Sequence, residues 1–240
     1  MTKKTWMILG ATSIIANEFA HLAAAAGHSL ILVGRDTLQL DVIADDLTLR
    51  HRVACEVLTA DLSEDIRGLL KTIQTMEQEL SLFIAHSFIV ENNQLNPSAI
   101  SLLVKTNILS TVQVIHTYMN KQQSEHQLLF LSSVAACRGR ARNSFYGASK
   151  AAVEIYLEGL QQEAGPSTTI TVARLGFIDT VQTYGMPGVF YASPPKACAK
   201  ACWDNLHRKK RRFYHPGFWR FLMTVIKYMP FFVYRRMGSV

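Results

Sequence analysis

The sequence predicts an α/β fold built as one doubly wound parallel sheet of about seven strands, closed by an amphipathic C-terminal tail. Three observations predict it. Short apolar runs alternate with helical segments along the chain, the first run leads through a glycine turn into a helix, and no linker or internal repeat divides the 240 residues. A chain of that length has room for one layered domain with a sizeable core.

The elements follow in order. TWMILG reads as a buried strand, GATSIIANEFAHLAAAAG as a helix and HSLILVGRD as a second strand. This is a βαβ opening of about thirty residues, the unit that sets a pyrophosphate on a helix N-terminus. VACEVLTAD is the third strand, SEDIRGLLKTIQTMEQEL a helix, SLFIAHS the fourth strand and PSAISLLVKTNILSTVQVIHTYMNKQ a long helix. QLLFLSS is the fifth strand, and FYGASKAAVEIYLEGL has helical periodicity. TITVARL, the helix PPKACAKACWDNLHRK and the strand RRFYHP complete the alternation, so residues 1–216 read as the domain and 217–240 as its tail.

Charge separates the two parts. From Arg208 onward there are nine Lys/Arg and no Asp/Glu, so the whole net charge of +7 resides in the last residues and the preceding chain is slightly acidic. The same stretch is dense in aromatics. In FWRFLMTVIKY the residues Arg220, Thr224 and Lys227 form one narrow polar stripe on an otherwise apolar helix. Eleven residues reach about 16 Å, short of the roughly 30 Å needed to span a bilayer. Two placements compete for this tail: a membrane interface, with basic residues on anionic headgroups, or docking on its own sheet or a partner subunit. No nucleic-acid module accompanies the basic residues, so nucleic acid is not an expected partner. The four cysteines lack a Cys-x2-Cys pair, and Cys198 and Cys202 read as small buried hydrophobes, with no metal expected. The N-terminal apolar run is the first strand and not a signal peptide, which places the chain in a reducing cytoplasm.

Chemistry is concentrated in Ser133, Tyr146 and Lys150. Tyr146 and Lys150 lie four apart and share a helical face. An ammonium beside a phenol favours the phenolate and lowers a tyrosine pKa from roughly 10. Such a tyrosine passes a proton to or from a carbonyl oxygen, which a serine from the adjacent strand would also bind.

These residues, with the glycine turn, Asp61-Leu62 after the third strand, Asn107 in the long helix and LGFIDT after the sixth strand, resemble the short-chain dehydrogenase/reductase family from Trp6 to about His215. The resemblance implies a Rossmann fold and a catalytic tetrad of Asn107, Ser133, Tyr146 and Lys150. In it Ser133 orients a ketone, Tyr146 donates the proton, Lys150 lowers the tyrosine pKa and binds ribose, and Asn107 holds a relaying water. It also implies cofactor contacts at Gly10, Thr12, Ser13, Ile14, Ile15, Arg35, Asp61, Leu62, Ala85, His86, Ser87, Tyr146, Lys150, Gly176, Ile178 and Thr180. Three motifs depart from the pattern. Ile14 and Ala16 stand where the Gly-x3-Gly-x-Gly turn has glycine, Ala85-His86-Ser87-Phe88 replaces Asn-Asn-Ala-Gly, and Leu175 replaces a proline.

The second strand ends at Gly34 and Arg35, where a carboxylate would select NAD; a guanidinium there favours NADP(H) over NAD(H), unless Asp36 points inward. Arg138, Arg140 and Arg142 lie near the expected mouth of the site, as ligands of a substrate phosphate, as solvated loop charges or as contacts at a subunit interface. QTYGMPGVFYASPP has the composition of a lid, with Tyr184, Met186, Phe190 and Tyr191 available to line an apolar pocket. GATS, GRD, Ala85-His86 and the basic aromatic tail give a narrower resemblance to bacterial reductases of decaprenylphosphoryl-2-keto-pentose, which work with a flavin oxidase. The resulting expectation is an NADP(H)-dependent oxidoreductase acting on an apolar or lipid-linked keto-sugar. It would be a homodimer or homotetramer with peripheral contact to the inner membrane face through 217–240. The alternatives are a reductase of another small or lipid carbonyl and a non-catalytic NADP(H)-binding sensor or interaction subunit.

Overall fold

The computed structural model describes residues 4–180 and 191–237. The strands β1 (Thr5–Leu9), β2 (Ser29–Gly34), β3 (Cys55–Thr59), β4 (Leu80–Ile84), β5 (His126–Ser133), β6 (Thr168–Leu175) and β7 (Arg212–His215) form one sheet in the order β3-β2-β1-β4-β5-β6-β7. Every pairing is parallel. The expected parallel sheet of seven strands is therefore observed, with its order reversing between β1 and β4. That reversal opens a crevice beyond the carboxyl ends of the strands.

Two apolar layers explain why the strands read as continuous hydrophobic runs. Trp6 and Ile8 of β1 face one layer, built with α1 (Ile14–Ala25), α2 (Thr37–His51) and α7 (Pro195–His207). Met7 and Leu9 face the other, built with α3 (Arg67–Thr75), α5 (Ser110–Met119) and α6 (Ser144–Glu163). Cys198 and Cys202 are buried in the first layer.

Three helices differ from the sequence reading, the first being α2, which lies in a stretch assigned no element there. The third-strand-to-fourth-strand helix, expected over residues 63–80, is confined to α3. Asp65 accepts the Arg67 N–H at its start, and Leu80 is already the first residue of β4. The long helix runs from α4 (Pro97–Leu103) to α5 through a π-helical turn at Val104–Leu109 that contains Asn107. By length and composition the rod Pro97–Met119 could cross a membrane, but Leu103, Val114, Ile115 and Tyr118 are buried in the protein.

The tail forms α8 (Trp219–Tyr228) and the short α9 (Phe231–Tyr234). One side of α8 is docked on its own domain: Trp219 and Met223 pack with Val134, Phe177 and Tyr214. Arg138 holds the far end by donating to the carbonyls of Ile226 and Met229, the latter at 2.7 Å. Tyr234 donates to the Gly139 carbonyl at 2.7 Å.

Candidate active site

A cleft of about 710 Å³ opens at the crevice. The turn after β1 forms its floor. Gly10 has φ +77, and a Cβ there would lie 2.7 Å from the His86 backbone nitrogen, so only glycine brings the ends of β1 and β4 this close. Ile14, by contrast, is not at positive φ. It opens α1 with its side chain half exposed in the cleft, which is why the turn folds without the second glycine. Ala16 is fully buried against the sheet. Ser13 precedes α1 without a side-chain cap bond, and no acidic residue occupies the first turn. The backbone N–H groups at that helix start therefore remain available to an anion.

All of the expected cofactor residues line this cleft: Gly10, Thr12, Ser13, Ile14, Ile15, Arg35, Asp61, Leu62, Ala85, His86, Ser87, Tyr146, Lys150, Gly176, Ile178 and Thr180. Asp36 does not point inward. Its carboxylate accepts the Gln39 N–H at 3.1 Å and caps α2, leaving Arg35 as the charge at the strand tip. Asp61 accepts from the Ser63 N–H and hydroxyl at 2.8 and 2.7 Å. Burial opposes its ionisation, but these bonds and the Arg35 charge hold its pKa low.

Ser133, Tyr146 and Lys150 meet in the same cleft. The Ser133 oxygen accepts the Ala135 N–H at 3.1 Å, which fixes the rotamer and leaves the hydroxyl hydrogen free to donate. The Tyr146 phenol is buried, and burial pushes its pKa up; the hydroxyls of Ser87 and Ser133 and the charge of Arg140 act in the opposite direction. Lys150 donates to the Leu131 carbonyl at 3.0 Å and lies 4.7 Å from the Phe130 ring centroid. Burial lowers its pKa to about 7 against the opposing charge of Glu154.

Asn107 is the tetrad position outside the cleft lining. Its amide oxygen accepts the Phe88 N–H at 2.7 Å, and its nitrogen donates to the Phe88 carbonyl at 2.8 Å and to Ser149 at 3.0 Å. Ser149 in turn donates to the Tyr146 carbonyl at 2.8 Å. The Asn107 side chain ties the loop after β4 to α6, which is a positioning role.

His86 replaces asparagine in that loop. Its Nε2 contacts the Thr106 carbonyl at 3.1 Å and the Thr111 hydroxyl at 2.9 Å, while Nδ1 is buried without a partner. Burial and the nearby Lys150 charge lower its pKa to about 3. Above pH 6.5 the imidazole is neutral folded and unfolded alike. As pH falls toward 3 only the unfolded chain takes up the proton, so stability is lost across that window. His86→Asn is expected to flatten this loss by up to about 1.4 kcal/mol per pH unit, read from urea unfolding at several pH values. An unchanged slope would contradict the assignment.

Several residues had no sequence signal. Glu154, buried under Ser132, accepts from the Ser132 hydroxyl at 2.5 Å and from Arg174 Nη2 at 2.5 Å and Nε at 2.9 Å. Arg174 Nη1 continues to the Tyr214 hydroxyl at 2.6 Å. Trp219 lies against Gly176, where a Cβ would be 1.9 Å from its indole nitrogen. The tail thus forms part of the wall behind the LGFIDT loop. Of the expected lid residues, Tyr184, Met186 and Phe190 lie outside the described residues; Tyr191 packs edge-on to Phe218 with ring centroids 6.1 Å apart.

The model of the family described as short chain dehydrogenase matches residues 4–185, most of the chain. This protein belongs to the short chain dehydrogenase family. As a short chain dehydrogenase it is an oxidoreductase, and its relatives are named accordingly. An uncharacterized oxidoreductase of Staphylococcus epidermidis is 27% identical over 190 residues, covering 76% of this chain and 81% of the relative. Among solved structures, a short-chain dehydrogenase from Sphingobium yanoikuyae in complex with NADPH superimposes with a TM-score of 0.80 at 23% identity, covering 89% of this chain and 88% of the other. The bulky-bulky ketone specific alcohol dehydrogenase from Comamonas testosteroni gives 0.81 at 23% identity over 90% and 87%. Both likenesses describe the fold of this short chain dehydrogenase.

Proposed function

We propose that this chain reduces a ketone on an apolar substrate with NADPH, or oxidises the corresponding alcohol. The observation that carries the reading is the convergence of Ser133, Tyr146 and Lys150 in the cleft that begins at the uncapped start of α1. The residues fit NADP(H): α1 offers backbone N–H groups to the pyrophosphate, and Arg35 offers a guanidinium to a ribose phosphate with Asp36 turned away. The NADPH bound by the Sphingobium structure accords with this choice. When bound, NADPH supplies a hydride. Ser133 donates to the carbonyl oxygen, and burial keeps the Tyr146 proton in place at neutral pH, the state that reduction needs. The phenolate left behind is stabilised by Arg140 and by the Ser87 and Ser133 hydroxyls. Asn107 acts by positioning the loop after β4. Following NADPH and NADH oxidation with small polar ketones and bulky aryl ketones tests the reading: bulky ketones with NADPH are expected to be fastest, and inertness toward every ketone would reject it.

The tail supports a second feature, peripheral contact with an anionic membrane. Phe221, Tyr228, Phe231 and Phe232 are each about 70% exposed or more on the side of the tail away from the domain. Arg220, Lys227, Arg235 and Arg236 accompany them with no acidic residue from Arg208 onward. A second copy of this face would bring like charges together, whereas anionic headgroups complement it. Residues 217–240 would then be a membrane-facing unit, and a lipid-linked keto-sugar, made from its alcohol by a flavin oxidase, is the narrowest form of the substrate reading. Exposed Leu109 and Ile155, on the long and catalytic helices, accord with assembly into a homodimer or homotetramer. Because Trp219 and Met223 are core residues, deleting the tail would damage the fold, and Phe221→Ser with Phe232→Ser is the cleaner variant. The natural chain is expected to float with phosphatidylglycerol vesicles and not with phosphatidylcholine vesicles, and the double variant to remain behind. Equal flotation of both proteins would reject membrane contact.

A further inference from the structure

Three arginines lie on the loop between β5 and α6, and their surroundings separate their roles. Arg138 holds the end of α8 through the Ile226 and Met229 carbonyls and lies 3.9 Å from the Tyr234 ring centroid. Arg142 forms an ion pair with Glu91 at 2.5 Å. Arg140 is different. It lines the cleft, is largely withdrawn from solvent, and forms no ion pair with a carboxylate among the described residues. A guanidinium withdrawn from water without a counter-charge is unfavourable, and a ligand anion would relieve that cost. Asn143 lines the same wall, and its Oδ1 is buried without a partner.

The cofactor phosphates are poorly placed to be that anion. Their candidate ligands are the start of α1 and Arg35 at the tip of β2, whereas Arg140 follows β5. Across the sheet β5 lies two strand spacings, roughly 10 Å, from β1, which leads into α1, and three, roughly 14 Å, from β2.

We propose that Arg140, with Asn143, recognises an oxyanion on the substrate, a carboxylate or a phosphate ester, while the substrate carbonyl lies at Ser133 and Tyr146. This rests on the ketone-reductase reading and names its substrate class: an apolar ketone with an acidic group. The guanidinium fork suits either anion bidentately.

Three aryl ketones of similar shape separate the possibilities: para-acetylbenzamide, para-acetylbenzoate and para-acetylphenyl phosphate. Binding to the NADP-saturated protein is measured by calorimetry and turnover by NADPH oxidation. The natural chain is expected to prefer at least one anionic probe over the neutral amide by about tenfold or more, a difference of about 1.4 kcal/mol; which anion is preferred identifies the group. Arg140→Met is expected to bring that ratio to about one, and Arg140→Lys to retain part of it. No preference in the natural chain, or a preference that survives in Arg140→Met, would overturn the proposal. Slower turnover of all three probes by the same factor, with the ratio unchanged, would also overturn it and assign Arg140 to the Tyr146 phenolate alone. A binding preference that depends on Arg140 in a protein that turns over no ketone would support anion recognition and reject the reductase reading instead.

Discussion

Tyr146→Phe is expected to lower kcat for ketone reduction by about 100- to 10,000-fold while the protein continues to bind NADPH. The phenol is buried, and the hydroxyls of Ser87 and Ser133 and the charge of Arg140 oppose the rise in its pKa that burial causes. Removing the hydroxyl oxygen takes away the proton donor and leaves the ring that packs with Val90, Leu103 and Ala135. The fold is therefore expected to survive, and unfolding curves should nearly superimpose. Steady-state NADPH oxidation together with fluorescence titration of NADPH checks both halves. A Phe variant with near-natural kcat would remove Tyr146 from the chemistry.

Glu154→Ala is expected to cost about 3–5 kcal/mol of stability. Glu154 is almost fully buried, and its carboxylate neutralises Arg174, which is itself mostly buried. Without it Arg174 keeps only the Tyr214 hydroxyl, and the Ser132 hydroxyl loses its acceptor. Replacing both partners by apolar residues, Glu154→Leu with Arg174→Met, removes the unpaired charge and is expected to recover much of the loss. The same carboxylate opposes the depression of the Lys150 pKa, so its removal lowers that pKa further below about 7. Urea unfolding of the two singles and the double variant measures the coupling; additive losses would show that Glu154 and Arg174 do not act as a pair.

Much of this architecture was legible because β-strands buried on both faces leave continuous apolar runs, as TWMIL and SLFI do. The helix α2 left no such mark. Its apolar residues lie on both faces, with Leu40, Ile43 and Leu47 buried but Leu38, Val42 and Leu49 exposed, so no single stripe appears in the sequence. The triplet Ser133, Tyr146 and Lys150 was legible through spacing on one strand and one helix. The partners of each side chain were not, because they come from distant segments. The Arg140 charge acts on the phenol, Lys150 donates to the Leu131 carbonyl, and Asn107 bridges Phe88 and Ser149 across 19 and 42 residues of chain. The tail was legible as amphipathic, but the residues that dock were not: Trp219 and Met223 pack on the domain while Phe221 and Tyr228 remain exposed.

The most direct measurement is product stoichiometry. The protein is mixed with NADPH and a bulky aryl ketone, and the loss of reduced nicotinamide is compared with the alcohol formed. One alcohol for each NADPH consumed, with neither change in the Tyr146→Phe protein, is the predicted result. NADPH that binds and stays reduced, with no alcohol formed from any ketone offered, would contradict the account and leave a cofactor-binding protein without this chemistry.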